Sequence, residues 1–298
     1  MKLRDSLIFA TYRTPNMKKH YQLMIMLIML LSTIASAQSK KVLIKSRLAP
    51  NTNYVTQVDN LTNITMDIDA SDDVKKSLAS AGMSMPMAMK TEQRMEMNTL
   101  VSEADAQGNR KVEVQFTKNE VASSVGDKKL DMPPFGLAKI FYTVNKDEQA
   151  QIDSMAGDKL TNEVIESMKN MVMKAYVKFP DYPIGLGDKF EDKMPMNIPV
   201  KGFDAAVVLV SRFKVVAVTD TEVKLDVKQT MEMSMTSQEK KADVKMEGDG
   251  KGVAVYNIAM DHLTNYDVKL DMDMVFKMEG MNLTMKGDII SKAVSAKK

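Results

Sequence analysis

Methionine recurs at every second position in five separate stretches of this chain. They are MSMPMAM (83–89), RMEMN (94–98), MPMN (194–197), MEMSMT (231–236) and LDMDMVFKM (270–278). Such a repeat cannot serve one face of a helix, where same-side residues recur every three to four positions. It fits an extended strand whose alternate side chains point to opposite faces. From Val223 the odd positions read Val223, Leu225, Val227, Gln229, Met231, Met233, Met235, and the residues between them are polar or charged. Gln229 is the one polar break in the apolar series. One dry face and one wet face mark an antiparallel sheet solvated on one side.

The same template recurs along the chain. Tyr266, Val268, Leu270, Met272, Met274, Phe276 and Met278 alternate, Glu279-Gly280 reads as a turn, and Met281, Leu283 and Met285 return as the partner strand of a hairpin. Thr62, Ile64, Met66 and Ile68 share a face, as do the six methionines between residues 83 and 100. Val112, Val114 and Phe116 follow the turn AQGN (106–109), and VVLVSRFKVVAV (207–218) and residues 253–260 add further strands. Roughly nine to eleven strands result. Helical spacing is confined to a segment at 147–176, carried by Leu160, Val164, Met168 and Ala175 with Asp158 or Thr161 as its cap, and to a shorter stretch from Ser71 to Ala81.

The fold class expected is therefore mainly β: a large curved antiparallel sheet or half-barrel with a few helices packed on its apolar face. A single β-rich domain would span 38–298, built from two similar halves, 40–146 and 179–293, joined by the helical segment 147–176. Each half pairs a methionine-rich stretch with a valine-rich one. FPDYPIGLGDKFEDKMPMNIPV (179–200) links the halves, and Asp188 in GLGDKF reads as a turn that starts a strand.

The N-terminus carries a different signal. Met17-Lys18-Lys19 is a basic start, residues 21–34 are an apolar run, and Ala35-Ser36-Ala37 is a small-x-small cleavage site. That order is a secretory signal peptide, with Met17 as the expected start and cleavage after Ala37. The apolar run falls short of the roughly 20 residues a membrane-spanning helix requires. The chain has no cysteine, so neither a lipid-anchored form nor disulfides are expected, and the fold rests on its core. Five of the 41 Lys/Arg and one of the 39 Asp/Glu lie in residues 1–37, leaving 36 basic against 38 acidic residues. These charges are interspersed, which points away from nucleic acid and from a polybasic membrane patch. An exported protein, periplasmic or extracellular, with no membrane span in its mature part, is the expectation.

Three roles for the methionines remain open. Thioether sulfur is soft and suits Cu(I), and Met231, Met233 and Met235 would be the ligands. The chain has only two histidines, one of them His262, so the accessory ligands common in copper proteins are scarce. Methionine is also over-used on surfaces that adapt to varied apolar partners. A sheet face lined by Met85, Met87, Met89, Met95, Met97, Met231, Met233, Met235, Met272, Met274 and Met278 would hold an apolar small molecule or lipid. The third role is packing alone, in an envelope structural protein. Enzyme chemistry is not expected: a single histidine beyond residue 37 makes His-based triads and multi-His metal sites improbable. His262, in AMDHLTN, reads as a surface-loop residue, and GLG lacks the Gly-Lys-Ser/Thr of a phosphate loop. No catalytic residue, no cofactor and no resident metal is assigned.

With Phe179, Pro180, Pro183, Gly187, Asp188 and Phe190 in place at mid-chain, the sequence resembles a methionine-rich exported family of Gram-negative bacteria grouped as a domain of unknown function. The resemblance spans most of residues 40–293 and rests largely on composition. It implies export and a β-rich fold but no activity. The expected architecture also looks like the LolA/LolB lipoprotein carriers, a curved sheet with a helical plug and an apolar interior. That similarity implies an acyl-chain carrier only by analogy of fold.

Overall fold

The structure is a computed structural model. It describes residues 40–45, 48–80, 84–130, 137–146, 149–157, 177–200, 203–237, 242–278 and 281–298, with side chains omitted for 196–200, 203–206, 234–237, 242 and 278. The chain divides into two compact units, residues 1–40 and 41–298. The described residues belong to the second, apart from Lys40.

Twelve strands and one helix make up the described part. They are β1 (Thr52–Ala70), α1 (Asp72–Ser80), β2 (Met87–Val101), β3 (Arg110–Val125), β4 (Lys128–Leu130), β5 (Ala138–Val144), β6 (Ala150–Gly157), β7 (Lys189–Val200), β8 (Phe203–Val218), β9 (Glu222–Ser237), β10 (Ala242–Asn257), β11 (His262–Met278) and β12 (Met281–Lys297). All pair antiparallel in one sheet of order β6-β5-β3-β2-β1-β12-β11-β10-β9-β8-β7, with β4 alongside β3. Two meanders thus meet where the first long strand pairs with the last. The sheet is open, its ends formed by β6 and β7. The methionine-rich β2 and β9 each lie beside a valine-rich neighbour, β3 and β8.

Local chemistry explains the turns. Asp105 accepts the backbone N–H groups of Gln107 and Asn109, and Gly108 takes φ 84° between β2 and β3. The expected strand-starting turn before β7 is present. The Gly185 N–H donates to Asp188 Oδ2 at 2.9 Å and Gly187 adopts φ 87°, a left-handed geometry that favours glycine. β11 and β12 form the expected hairpin, with Met278 opposite Met281.

Two expectations need correction. The segment at 147–176 does not begin as a helix: Ala150–Gly157 is β6, the last strand of its arm, paired to β5. Ala150 and Ile152 alternate onto the apolar face and pack on the core there, and Gly157 fits against the backbone of Leu137 and Ala138. Residues 158–176 lie outside the described residues. The chain also runs as strand through GDGKG (248–252), well before residue 253. Gly248, Gly250 and Gly252 alternate on the apolar face of β10. A Cβ at Gly252 would collide with the carbonyl oxygen of Asp267, and one at Gly287 of β12 with that of Asn63. Neighbouring strands therefore close tightly over these positions, and only glycine permits that approach. The short helix is close to expectation, at Asp72–Ser80, with no residue buried.

Two clusters of fully buried residues lie towards one end of the apolar face. One cluster gathers Tyr54, Met95, Val112, Ile140 and Tyr142, and a second gathers Phe190, Phe213, Val215, Leu225, Tyr256 and Val268. Phe190 and Phe213 stack at 4.8 Å between ring centroids. Each such side chain contributes about 1.5–3 kcal/mol on burial, which lets the fold stand without disulfides.

Candidate functional site

The other end of the same face is built from methionine. Met87 of β2 stands opposite Met66 of β1, and Met66 opposite Met285 of β12. Met285 stands opposite Met274 of β11, Met274 opposite Met246 of β10, and Met246 opposite Met233 of β9. Directly paired residues share a face and sit about 4.8 Å apart, so six methionines form one row about 24 Å long across six strands. The row beside it reads Met89, Ile64, Gly287, Met272, Gly248, Met231, and continues to Leu209 and Met194. A third row places Ile68, Leu283, Phe276, Val244 and Met235 in line. From β2 to β9 no residue of these rows carries a charge.

Burial distinguishes this end from the closed core. Val207, Met231, Met233, Val244 and Leu270 are buried together, whereas Met66, Met87, Met89, Met246, Met272, Met274 and Met285 are only half-buried. Charged side chains instead occupy the opposite face, where pairs such as Arg94–Asp59 at 2.9 Å and Arg212–Glu191 at 2.9 Å are exposed.

Between the two ends runs a row that is polar at both of its extremities and apolar at its centre. Thr91, Thr62, Ile289, Leu270, Gly250, Gln229, Ser211 and Asp192 stand in line across the sheet. Thr91 and Ser123 hydrogen-bond at 2.7 Å at one end of it. At the other, buried Gln229 donates through Nε2 to Ser211 Oγ at 3.0 Å and to the Tyr266 hydroxyl at 2.8 Å. Burial first, then the nearby Asp192 carboxylate, push the Tyr266 phenol up to about 12. Burial also raises the Asp192 carboxyl, against the N–H groups of Lys178 and Lys193 that it accepts. At β10 the glycines keep this region low, since a Cβ at Gly250 would press on Gln229 and Leu270.

The methionines expected to line a site are thus not all together. Met87, Met89, Met231, Met233, Met272 and Met274 share the methionine end, and Met85 precedes β2 beside a cleft of about 530 Å³ that Ile68, Lys75 and Leu78 also line. Met235 and Met278 take their places by register. Met95 and Met97 do not join them: they pack in the closed core near Tyr54 and Val114. Met66, Met246 and Met285 belong to the long row although each stands alone in its stretch of sequence, because strand pairing and not local spacing brings them into line.

His262 is not a surface-loop residue. It opens β11, is partly buried, and packs on Tyr54 with ring centroids 4.9 Å apart. Burial lowers its pKa. Among the described residues, no group of three or more His, Asp or Glu side chains is gathered as a metal site.

No protein-family model matches the chain. No curated protein matches it either. Among solved structures, an acetoacetate decarboxylase-like enzyme from Sphingomonas wittichii RW1 is 8% identical over 83% of this chain and 92% of its own, with a TM-score of 0.14. The enduracididine biosynthesis enzyme MppR, complexed with the condensation product of pyruvate and imidazole 4-carboxaldehyde, is 7% identical over 84% and 90%, with a TM-score of 0.10. Similarity at these scores bears on neither fold nor activity.

Proposed function

We propose that this chain is an exported, non-enzymatic carrier that holds an apolar, lipid-like ligand on the methionine end of its sheet. The observation that carries this reading is the six-residue row Met87-Met66-Met285-Met274-Met246-Met233. A core that needs only to pack favours shape-specific Leu, Ile and Val, as the closed end does with Val215, Leu225 and Ile140. Unbranched, polarizable methionine adapts to ligands of varied outline. Five of the six, all but buried Met233, are half-buried and leave apolar area to be covered, at about 25 cal/mol per Å². Export is supported by the signal-peptide pattern of residues 17–37. Among the described residues no helix is long and apolar enough to cross a membrane.

The test is uptake of the uncharged fluorescent probe N-phenyl-1-naphthylamine. Binding with blue-shifted, enhanced emission is expected, and at least a tenfold loss of affinity in Met246→Lys and Met274→Lys. No uptake, or uptake indifferent to both changes, contradicts the carrier.

The same row favours a second reading, Cu(I) binding, because neighbouring thioethers at strand spacing offer soft ligands without cysteine. Competition with a Cu(I) chelator tests it. Copper retained by the wild type and lost on Met246→Leu with Met274→Leu would reverse the order of the two readings.

A further inference from the structure

On its β7–β9 side the row beside the methionine rows offers hydrogen-bond acceptors to a ligand, and its one ionisable carboxyl is Asp192. Ser211 stands between Asp192 and Gln229 in the register. Both Nε2 hydrogens of Gln229 are used, one on Ser211 and one on Tyr266. Its carbonyl Oε1 is left to accept. Asp192 is half-buried, accepts two backbone N–H groups, and feels the charge of Lys178 but forms no close salt bridge among the described residues. The charged side chains near it, Glu191, Lys193 and Arg212, satisfy one another on the opposite face, and Lys178, whose N–H it accepts, is exposed. Two rows on, the face is purely apolar and several strands wide.

On the carrier reading above, we infer that the ligand is a single-chain amphiphile with a protonated amine head, seated at Asp192, Gln229 and Ser211 while its tail lies across the methionine rows. A half-buried carboxylate whose nearest cation is an exposed lysine is costly to keep charged, and an ammonium supplies a closer charge together with donors for the carboxylate and for Gln229 Oε1. An anionic head would face Asp192 with like charge and find both Gln229 donors already committed.

Displacement of bound N-phenyl-1-naphthylamine by dodecylamine and by dodecanoate, each below its micellar concentration, tests the inference. The readout is the ratio of the two half-displacing concentrations, internal to each variant. Dodecylamine is expected to act at least tenfold below dodecanoate on the wild type. Asp192→Asn should bring the ratio close to one, and Tyr266→Phe, which keeps the carboxylate, should leave the amine preferred. A wild-type ratio near one, a preference for dodecanoate, or a ratio unmoved by Asp192→Asn overturns the head-group inference alone. Failure of the probe to bind at all contradicts the carrier and this inference with it.

Discussion

Met66 of β1 lies directly opposite Met285 of β12, so the first and last long strands of the sheet meet through a methionine pair. That pair continues the methionine rows of the two arms into one another. Its consequence is that residues far apart in the chain form a single apolar surface, half-buried at this end and closed at the other.

The two ends should differ in what truncation costs. Leu225→Ala, at a position with 0% exposure, is expected to lower stability by about 2–5 kcal/mol. Met274→Ala, half-buried, should cost clearly less, because less contact is lost and water can fill the space. Urea denaturation of both variants measures the difference, and equal losses would mean that the methionine end is closed core.

Gly252→Ala should be among the most damaging single-atom additions in the chain. Its Cβ meets the backbone of Asp267 and Val268, which cannot step aside as a side-chain tip can. A loss of about 3 kcal/mol or more is expected. Gly126→Ala is a contrasting case: nothing lies within 4 Å of its Cβ, so its cost reflects only its left-handed backbone, φ 55°. Thermal unfolding of the pair separates crowding from backbone preference.

How much of this was legible beforehand follows from range. Period-two alternation is local, so the long strands, the β11–β12 hairpin and the turn at Asp188 could all be read from the residues themselves. β6 was hidden because the helical spacing of Leu160, Val164 and Met168 invited the helix to be drawn back over 150–157. GDGKG was hidden because glycine weakens strands in general, and only the tight approach of Asp267 explains its use. Gln229 stood out as a polar break, yet its partners Ser211 and Tyr266 come from other strands, and no local rule names them. The six-methionine row is likewise a property of register: Met246 has no methionine two residues away on either side.

Alkali should expose the Tyr266 network. Its folded pKa, up to about 12, lies above the unfolded value of 10.0. The unfolded chain therefore loses its proton first, so stability present below pH 10 falls as pH rises towards 12, on the order of 2–3 kcal/mol for this group. Tyr54, also raised by burial, adds a loss of the same sign. Tyr266→Phe should remove part of the slope in denaturation measured from pH 9 to 12, and an unchanged slope would place the phenol in water.

Acid acts through His262. Burial lowers its folded pKa below 6.5, so the unfolded state takes the proton more readily and stability falls as pH drops below about 6.5. His262→Gln should flatten that part of the profile. Asp192 works in the opposite direction, since its raised carboxyl pKa means that ionisation disfavours the fold, and Asp192→Asn is expected to raise the melting temperature at pH 7.

The most direct test of the central claim is a native mass spectrum of residues 38–298 recovered from the exported compartment of the producing cell. Added mass of lipid size on the wild type, absent from Met246→Lys, is the predicted result. A bare chain in both would contradict the carrier and leave the methionines as packing.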